Sequence, residues 1–161
     1  MATINFKKGD EYLAKIADLS VSAAEEVCGA AIYAGAKTVT DAIAAAIDGI
    51  PVDESYGTPE KPQTGIKQKQ KTALKASLGI SHAQNKDGFL NVKVGFGGYN
   101  PIKTKRWPKG QPNTVIARSM ERGTSWMKAY PFVKNTMRAI TQQAQKDMSD
   151  KVDEKIKKIM K

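Results

Sequence analysis

Two stretches in the first third of the chain have apolar side chains at the three- and four-residue spacing of amphipathic helices. The first covers about residues 10–19, and Asp10 is a suitable N-cap for it. The second covers about residues 22–48 and is rich in alanine and glycine, so we expect another helix to approach it closely. It ends at Gly49, and Pro51 follows, as is common after a helix C-terminus.

The longest amphipathic pattern lies at the C-terminus, where about residues 131–160 predict one extended helix. The last apolar side chains of its stripe are Met148, Val152, Ile156 and Ile159. We expect this part of the helix to extend past a compact body of this size. An apolar stripe left uncovered in one copy normally contacts a partner.

Alternation of apolar and polar side chains, which is typical of strands, is clearest between residues 77 and 97. Asn85–Gly88 interrupts it and predicts the turn of an antiparallel hairpin. His82 falls on the same face as Leu78 and Ile80, so we expect it to be a buried or half-buried structural residue.

Shorter patterns complete the prediction. Residues 51–65 predict a loop and residues 66–75 a short helix, and another short helix starts at an Asn113 or Thr114 cap. Two strands alone are only marginally stable, so the hairpin must pack on the helices or pair with another copy. If it packs on the helices, the result is an α+β fold in a single domain over residues 1–161, with a small antiparallel β-sheet, long α-helices and an extended C-terminal helix.

Charge is distributed unevenly along the chain. Lys and Arg number 26 against 16 acids, a formal net charge of +10. Residues 1–60 have a net charge of −6, and residues 61–161 have a net charge of +16. This asymmetry favours either a polyanionic partner for the basic part or head-to-tail association between copies.

The basic loop over residues 99–113 is the main candidate for contact with a partner. Lys103, Lys105, Arg106 and Lys109 surround Trp107 between prolines. In one interpretation the bases pair with phosphates and the ring stacks on nucleobases. In the other, the loop is solvated and Trp107 anchors it to the body or to a partner subunit. Either interpretation predicts a contact element rather than part of the core.

Two aromatic residues, Trp126 and Phe132, flank Pro131, where the chain turns into the last helix. We expect both of them to hold that helix to the body of the protein. The full set of candidate residues for subunit or DNA contact is Lys103, Lys105, Arg106, Trp107, Lys109, Arg118, Arg122, Trp126, Phe132, Met148, Val152, Ile156 and Ile159.

Residues that could support catalysis are few. The chain has one cysteine, Cys28, and one histidine, His82, which excludes an intramolecular disulfide and a cysteine-only zinc site. Gly95–Gly98 lacks the Gly-Lys-Ser/Thr ending of a phosphate-binding loop. No apolar run approaches the roughly 18 to 20 residues that span a bilayer. We therefore predict a protein that is not an enzyme, with no catalytic residue, metal ligand, cofactor or membrane contact.

The order of several short motifs resembles a known family. The motifs of the first half are Tyr33–Lys37, Gln68 with Lys71, Leu78–Ser81 and Val94–Tyr99. Those of the second half are Pro108–Asn113, Ile116–Ser125 and Pro131–Val133. Over about residues 10–160 the chain resembles the small neck proteins of long-tailed bacteriophages, of the HK-ninety-seven gene-product-ten type, also called tail-component or tail-completion proteins. The most specific motif is the Glu121–Ser125 turn followed by Pro131-Phe132.

The resemblance implies an α+β subunit that is repeated in a homo-oligomeric ring at the head–tail junction and has no catalytic activity. It implies a protein that is made in the host cytoplasm and located in the neck of the virion. Its expected partners are neighbouring head-completion and tail proteins, and DNA that passes through the lumen. The alternative, which the basic charge alone supports, is a small nucleic-acid-binding protein that acts without a ring.

Overall fold

The computed structural model describes residues 21–159 and confirms the α+β class. The helices of this part are α1 (Val21–Asp48), α2 (Gln68–Ala76), α3 (Asn113–Arg122) and α4 (Phe132–Ile159). Its strands are β1 (Leu78–Ile80), β2 (Gln84–Lys86), β3 (Phe89–Asn91) and β4 (Val94–Phe96). The helix predicted over residues 10–19, with its Asp10 cap, lies outside the described residues. The extended C-terminal helix is confirmed.

The described chain forms two compact units. The first contains residues 21–39, Ile80–Val94 and 140–159, and the second contains Thr40–Gly79 and Gly95–Ala139. The long helices α1 and α4 each contribute to both units. The prediction of one domain over residues 1–161 stays a prediction.

The core of the first unit is formed between α1 and α4, which run antiparallel. Val27 and Ala31 of α1 form one buried cluster with Met148, Val152 and Ile156 of α4. The prediction that these three α4 side chains are uncovered is therefore wrong. The alanine-rich α1 covers them because its small side chains let α4 lie close.

Polar contacts fix the register of this helix pair. The Thr38 hydroxyl donates to Asp147 Oδ2 at 2.6 Å, and Lys155 Nζ donates to Glu26 Oε1 at 2.7 Å. Of the four last side chains of the stripe, only Ile159 is exposed, at 40%.

The predicted hairpin forms, but its ladder is divided into two short sheets. β2 pairs with β3 in antiparallel register, and β1 pairs with β4. The turn between β2 and β3 is Asp87-Gly88, and both residues have positive φ, as a two-residue hairpin turn of type I′ requires. His82 lies in the break between β1 and β2 and is exposed, so the prediction of a buried or half-buried histidine is wrong.

The second unit has its own core around α2 and α3, which pack together. Ile66, just before α2, and Leu74 of α2 are both fully buried. They are joined by buried side chains from three other helices: Ile43, Ile47, Ile116, Met120 and Phe132.

The N-terminus of α3 differs from the prediction. Pro112 precedes the helix as its N-cap, and there is no side-chain cap. Asn113 is buried instead, and its Nδ2 donates to Gly97 O at 2.9 Å. The side chain holds the end of β4 rather than the helix terminus.

One described helix, α1, is long and apolar enough to cross a bilayer, judged by length and composition alone. The prediction that no apolar stretch approaches the length of a membrane span is therefore wrong for α1. Buried core helices meet the same criterion, and Val27, Ala31 and Val39 of α1 are buried within the protein.

Candidate functional site

The segment 95–139 of the second unit carries most of the excess positive charge. It contains nine Lys and Arg side chains and a single acid, Glu121. All nine bases are exposed. They are Lys103, Lys105, Arg106, Lys109, Arg118, Arg122, Lys128, Lys134 and Arg138.

Glu121, the one acid of this segment, has a structural role. Glu121 Oε2 accepts a hydrogen bond from the Val133 N–H and Oε1 accepts one from the Lys134 N–H, each at 2.9 Å. These N–H groups belong to the first turn of α4, where backbone donors lack partners within the helix and a negative charge is favourable. Glu121 therefore caps α4.

None of the nine bases forms an ion pair with a carboxylate of residues 21–159. Three lysines near the end of α4 behave differently. Lys151 and Lys158 both pair with Glu154, and these contacts lower the pKa of that carboxyl to about 2. Lys155 pairs with Glu26. The uncompensated charge is thus concentrated in segment 95–139.

The two ends of the basic loop meet at its base, where hydrogen bonds hold them together. Asn100, which is buried, donates from its N–H and from Nδ2 to Gln111 O, and its Oδ1 accepts from the Ile102 N–H. Gly110 has a φ of +92°, and a Cβ there would lie 1.9 Å from Asn100 O. The base of the loop is therefore part of the fold, in contrast to the prediction that the whole loop is a contact element.

The tip of the loop is a four-residue turn, Thr104–Trp107, which exposes its basic side chains. The Thr104 N–H donates to Trp107 O, and the Trp107 N–H donates to Thr104 O and Oγ1. Arg106 is exposed, with its guanidinium 5.9 Å from the ring centre of the half-buried Trp107.

The two aromatic residues around Pro131 have different environments. Phe132 is 3% exposed, and its ring centre lies 6.2 Å from that of Phe96, so its predicted anchoring role agrees with its burial. Trp126 is 54% exposed, and the prediction that it anchors the last helix is wrong. A large aromatic side chain so exposed in the free chain is available to a ligand or partner.

The backbone around Trp126 is held firmly. Thr124–Met127 repeats the turn of the loop tip, with reciprocal hydrogen bonds between its first and last residues and the Thr124 Oγ1 accepting from the Trp126 N–H. The Gln63 N–H donates to Trp126 O at 2.9 Å. Gly57 must lack a side chain here, because a Cβ would lie 1.9 Å from Trp126 O.

The loop that contains Gln63 is stabilised by hydrogen bonds to Asp53. The Asp53 carboxylate accepts hydrogen bonds from the hydroxyls and N–H groups of Ser55 and Thr64. These bonds, the Ser55 hydroxyl first, lower the pKa of Asp53 from 3.8 to about 2. The segment predicted as a loop is irregular but well bonded.

Arg106 and Trp126 line one cavity of about 310 Å³. Its polar wall includes Gln63, Gln70, Gln111 and Ser119. A second cavity of about 370 Å³ shares Thr124 and Met127 with the first and is lined by Arg122 and Lys128. The glutamines could not be predicted as site residues, because isolated glutamines in loops and on a short helix carry no local pattern.

The remaining candidate residues do not join this site. Met148, Val152 and Ile156 are buried in the core of the first unit, whereas Arg118 is exposed on α3. Among residues 21–159 no group of three or more His, Cys, Asp and Glu side chains could hold a metal ion.

No family model matches the chain, and neither a curated protein nor a solved structure is detectably similar to it.

Proposed function

We propose that this protein is a structural virion protein that joins the head and the tail of a long-tailed bacteriophage as a ring of identical subunits. The observation that carries the proposal is the exposed, uncompensated positive charge of segment 95–139, whose one acid is bound to a helix terminus. A surface of this kind would suit a ring through which DNA passes, since phosphates bind basic side chains without regard to sequence. The order of motifs that resembles the neck proteins supports the same role.

The decisive experiment uses particles of the encoding phage assembled without this protein. We expect DNA-filled heads and finished tails that stay separate and are joined when purified protein is added. Abnormal tails would instead assign the protein to tail assembly, and empty heads would assign it to DNA packaging.

Matched variants test whether the basic loop is needed. Replacing Lys103, Lys105, Arg106 and Lys109 by Ser should abolish joining. The control replaces four exposed lysines outside segment 95–139, Lys61, Lys69, Lys86 and Lys93, by Ser and should leave joining intact. Equal activity of the two variants would remove the basic loop from the proposal.

The same positive surface also favours the second candidate, a nucleic-acid-binding protein that acts without a ring. Light scattering and binding to random duplex DNA across a salt series separate the two. A monomer at all concentrations, with near-micromolar affinity that falls steeply with salt, would favour this second candidate.

A further inference from the structure

We propose that the cavity between Arg106 and Trp126 binds one nucleotide of a single-stranded nucleic acid. The base would stack on Trp126, and the neighbouring phosphates would contact Arg106 on one side and Arg122 and Lys128 on the other. This inference rests on the geometry of the second unit and does not depend on the head–tail role.

Two turns of the same kind place Arg106 and Trp126 at one cavity. Thr104–Trp107 and Thr124–Met127 have the same reciprocal backbone hydrogen bonds, and Arg106 and Trp126 are the third residue of their turns. Both side chains line the same cavity, whose volume of about 310 Å³ is at the lower end of the range for ligand pockets. A cation and an exposed indole are thus presented together from rigid backbone.

The polar wall of this cavity carries glutamine side chains that can bind a ligand. The Gln111 side chain has no hydrogen-bond partner among residues 21–159. Gln70 uses only its Oε1, which accepts from the Lys67 N–H at 3.0 Å. Neutral amides offer a donor and an acceptor side by side, the pattern that nucleobase edges complement.

The second cavity, which shares Thr124 and Met127 with the first, offers a place for the neighbouring phosphates. It is lined by Arg122 and Lys128, both exposed and without an ion pair in the described part of the chain. A strand that places one base against Trp126 can extend its backbone across this turn. A single strand is required because stacking on Trp126 needs a base face that a duplex does not expose.

The test measures the anisotropy of a fluorescently labelled oligodeoxythymidylate as the full-length protein is added. Trp126→Ala should weaken binding roughly tenfold or more, as stacked aromatics do in single-strand binders, and Trp126→Phe should restore most of the affinity. Phe89→Ala is the matched control, because Phe89 is an exposed aromatic of the first unit, and it should have no effect. Melting temperatures of the variants verify folding.

Competition identifies the ligand. Unlabelled single strands should displace the probe at lower concentrations than a duplex or polyglutamate, and the advantage should vanish in Trp126→Ala. Equal competition by the duplex or by polyglutamate would overturn the proposal, as would an unchanged affinity of a folded Trp126→Ala protein. If the protein passes this test but heads and tails join without it, the nucleotide site is supported and only the proposed structural role is rejected.

Discussion

Gly35 of α1 lies directly against Met148 of α4: a Cβ at position 35 would come within 2.6 Å of Met148 Cγ and 2.7 Å of its Sδ. Met148 is 1% exposed and belongs to the core of the first unit. The close approach of the two long helices therefore depends on the absence of a side chain at this position.

Substitutions at this contact should be coupled. Met148→Ala should lower the free energy of unfolding by about 2–5 kcal/mol, because it removes buried volume. Gly35→Ala in the wild-type protein combines a gain in helix propensity of about 1 kcal/mol with a clash. In the Met148→Ala background the clash is absent, and Gly35→Ala should be stabilising. Urea unfolding of the four proteins gives the coupling energy, and additive effects would show that the side chains do not meet.

Neighbouring isoleucines of the α4 stripe should respond differently to truncation. Ile156→Ala should cost about 2–4 kcal/mol, because Ile156 is buried against α1. Ile159→Ala should cost less than about 1 kcal/mol, since that side chain is 40% exposed. Deletion of residues 145–161 should unfold the first unit, so a folded deletion product would contradict the burial of this stripe. Circular dichroism and thermal unfolding provide both measurements.

Loss of the Glu121 cap should destabilise the start of α4. Glu121→Ala removes the acceptor of the Val133 and Lys134 N–H groups and should cost about 1–2 kcal/mol in urea unfolding. Glu60→Ala replaces an exposed acid in a loop and serves as the control, with an expected change within about 0.5 kcal/mol. Equal effects of the two substitutions would argue against the cap.

Stability should depend on the ionisation of Asp53. Its pKa is lowered in the folded protein to about 2 by bonds from Ser55 and Thr64, so the ionised carboxylate stabilises the fold above its ordinary pKa of 3.8. That contribution should disappear as the pH falls from 3.8 towards 2. In Asp53→Asn the contribution is absent, so the difference in unfolding free energy between the two proteins should shrink over this interval. A constant difference would show that ionisation is not involved.

Substitutions of the basic side chains of the loop and of Asn100 at its base should differ in their effect on stability. Replacing Lys103, Lys105, Arg106 and Lys109 by Ser should leave stability within about 0.5 kcal/mol, because these side chains are exposed. Asn100→Ala should cost about 1–3 kcal/mol, since it leaves buried backbone groups of the loop without their partners. A large loss in the four-residue variant would place the tip in the core. Thermal unfolding monitored by circular dichroism distinguishes these outcomes.

The local elements could be predicted from the pattern of amino acids alone. The long helices were predicted at 22–48 and 131–160 and are found at Val21–Asp48 and Phe132–Ile159. The turn at Asp87-Gly88 was likewise predictable. Helical periodicity, helix-ending glycines and residues that tolerate positive φ act within a few positions of the chain, so a single sequence contains their signal.

Which apolar faces are covered could not be predicted, because it depends on how the elements pack. The stripe of Met148, Val152 and Ile156 is buried by α1, more than a hundred residues earlier in the chain. Trp126 is exposed while Phe132 is buried, although both flank Pro131. Periodicity indicates that an element has an apolar face but not what packs against it, because that depends on contacts between distant residues.

The candidate site follows the same division. The basic residues around Trp107 and the exposed charge of segment 95–139 could be predicted, because charge is a property of composition. The cavity that joins Arg106, Trp126 and Gln111 could not. Those residues come from two separate turns and the base of a loop. Their positions depend on contacts between distant parts of the chain, such as the hydrogen bond from the Gln63 N–H to Trp126 O.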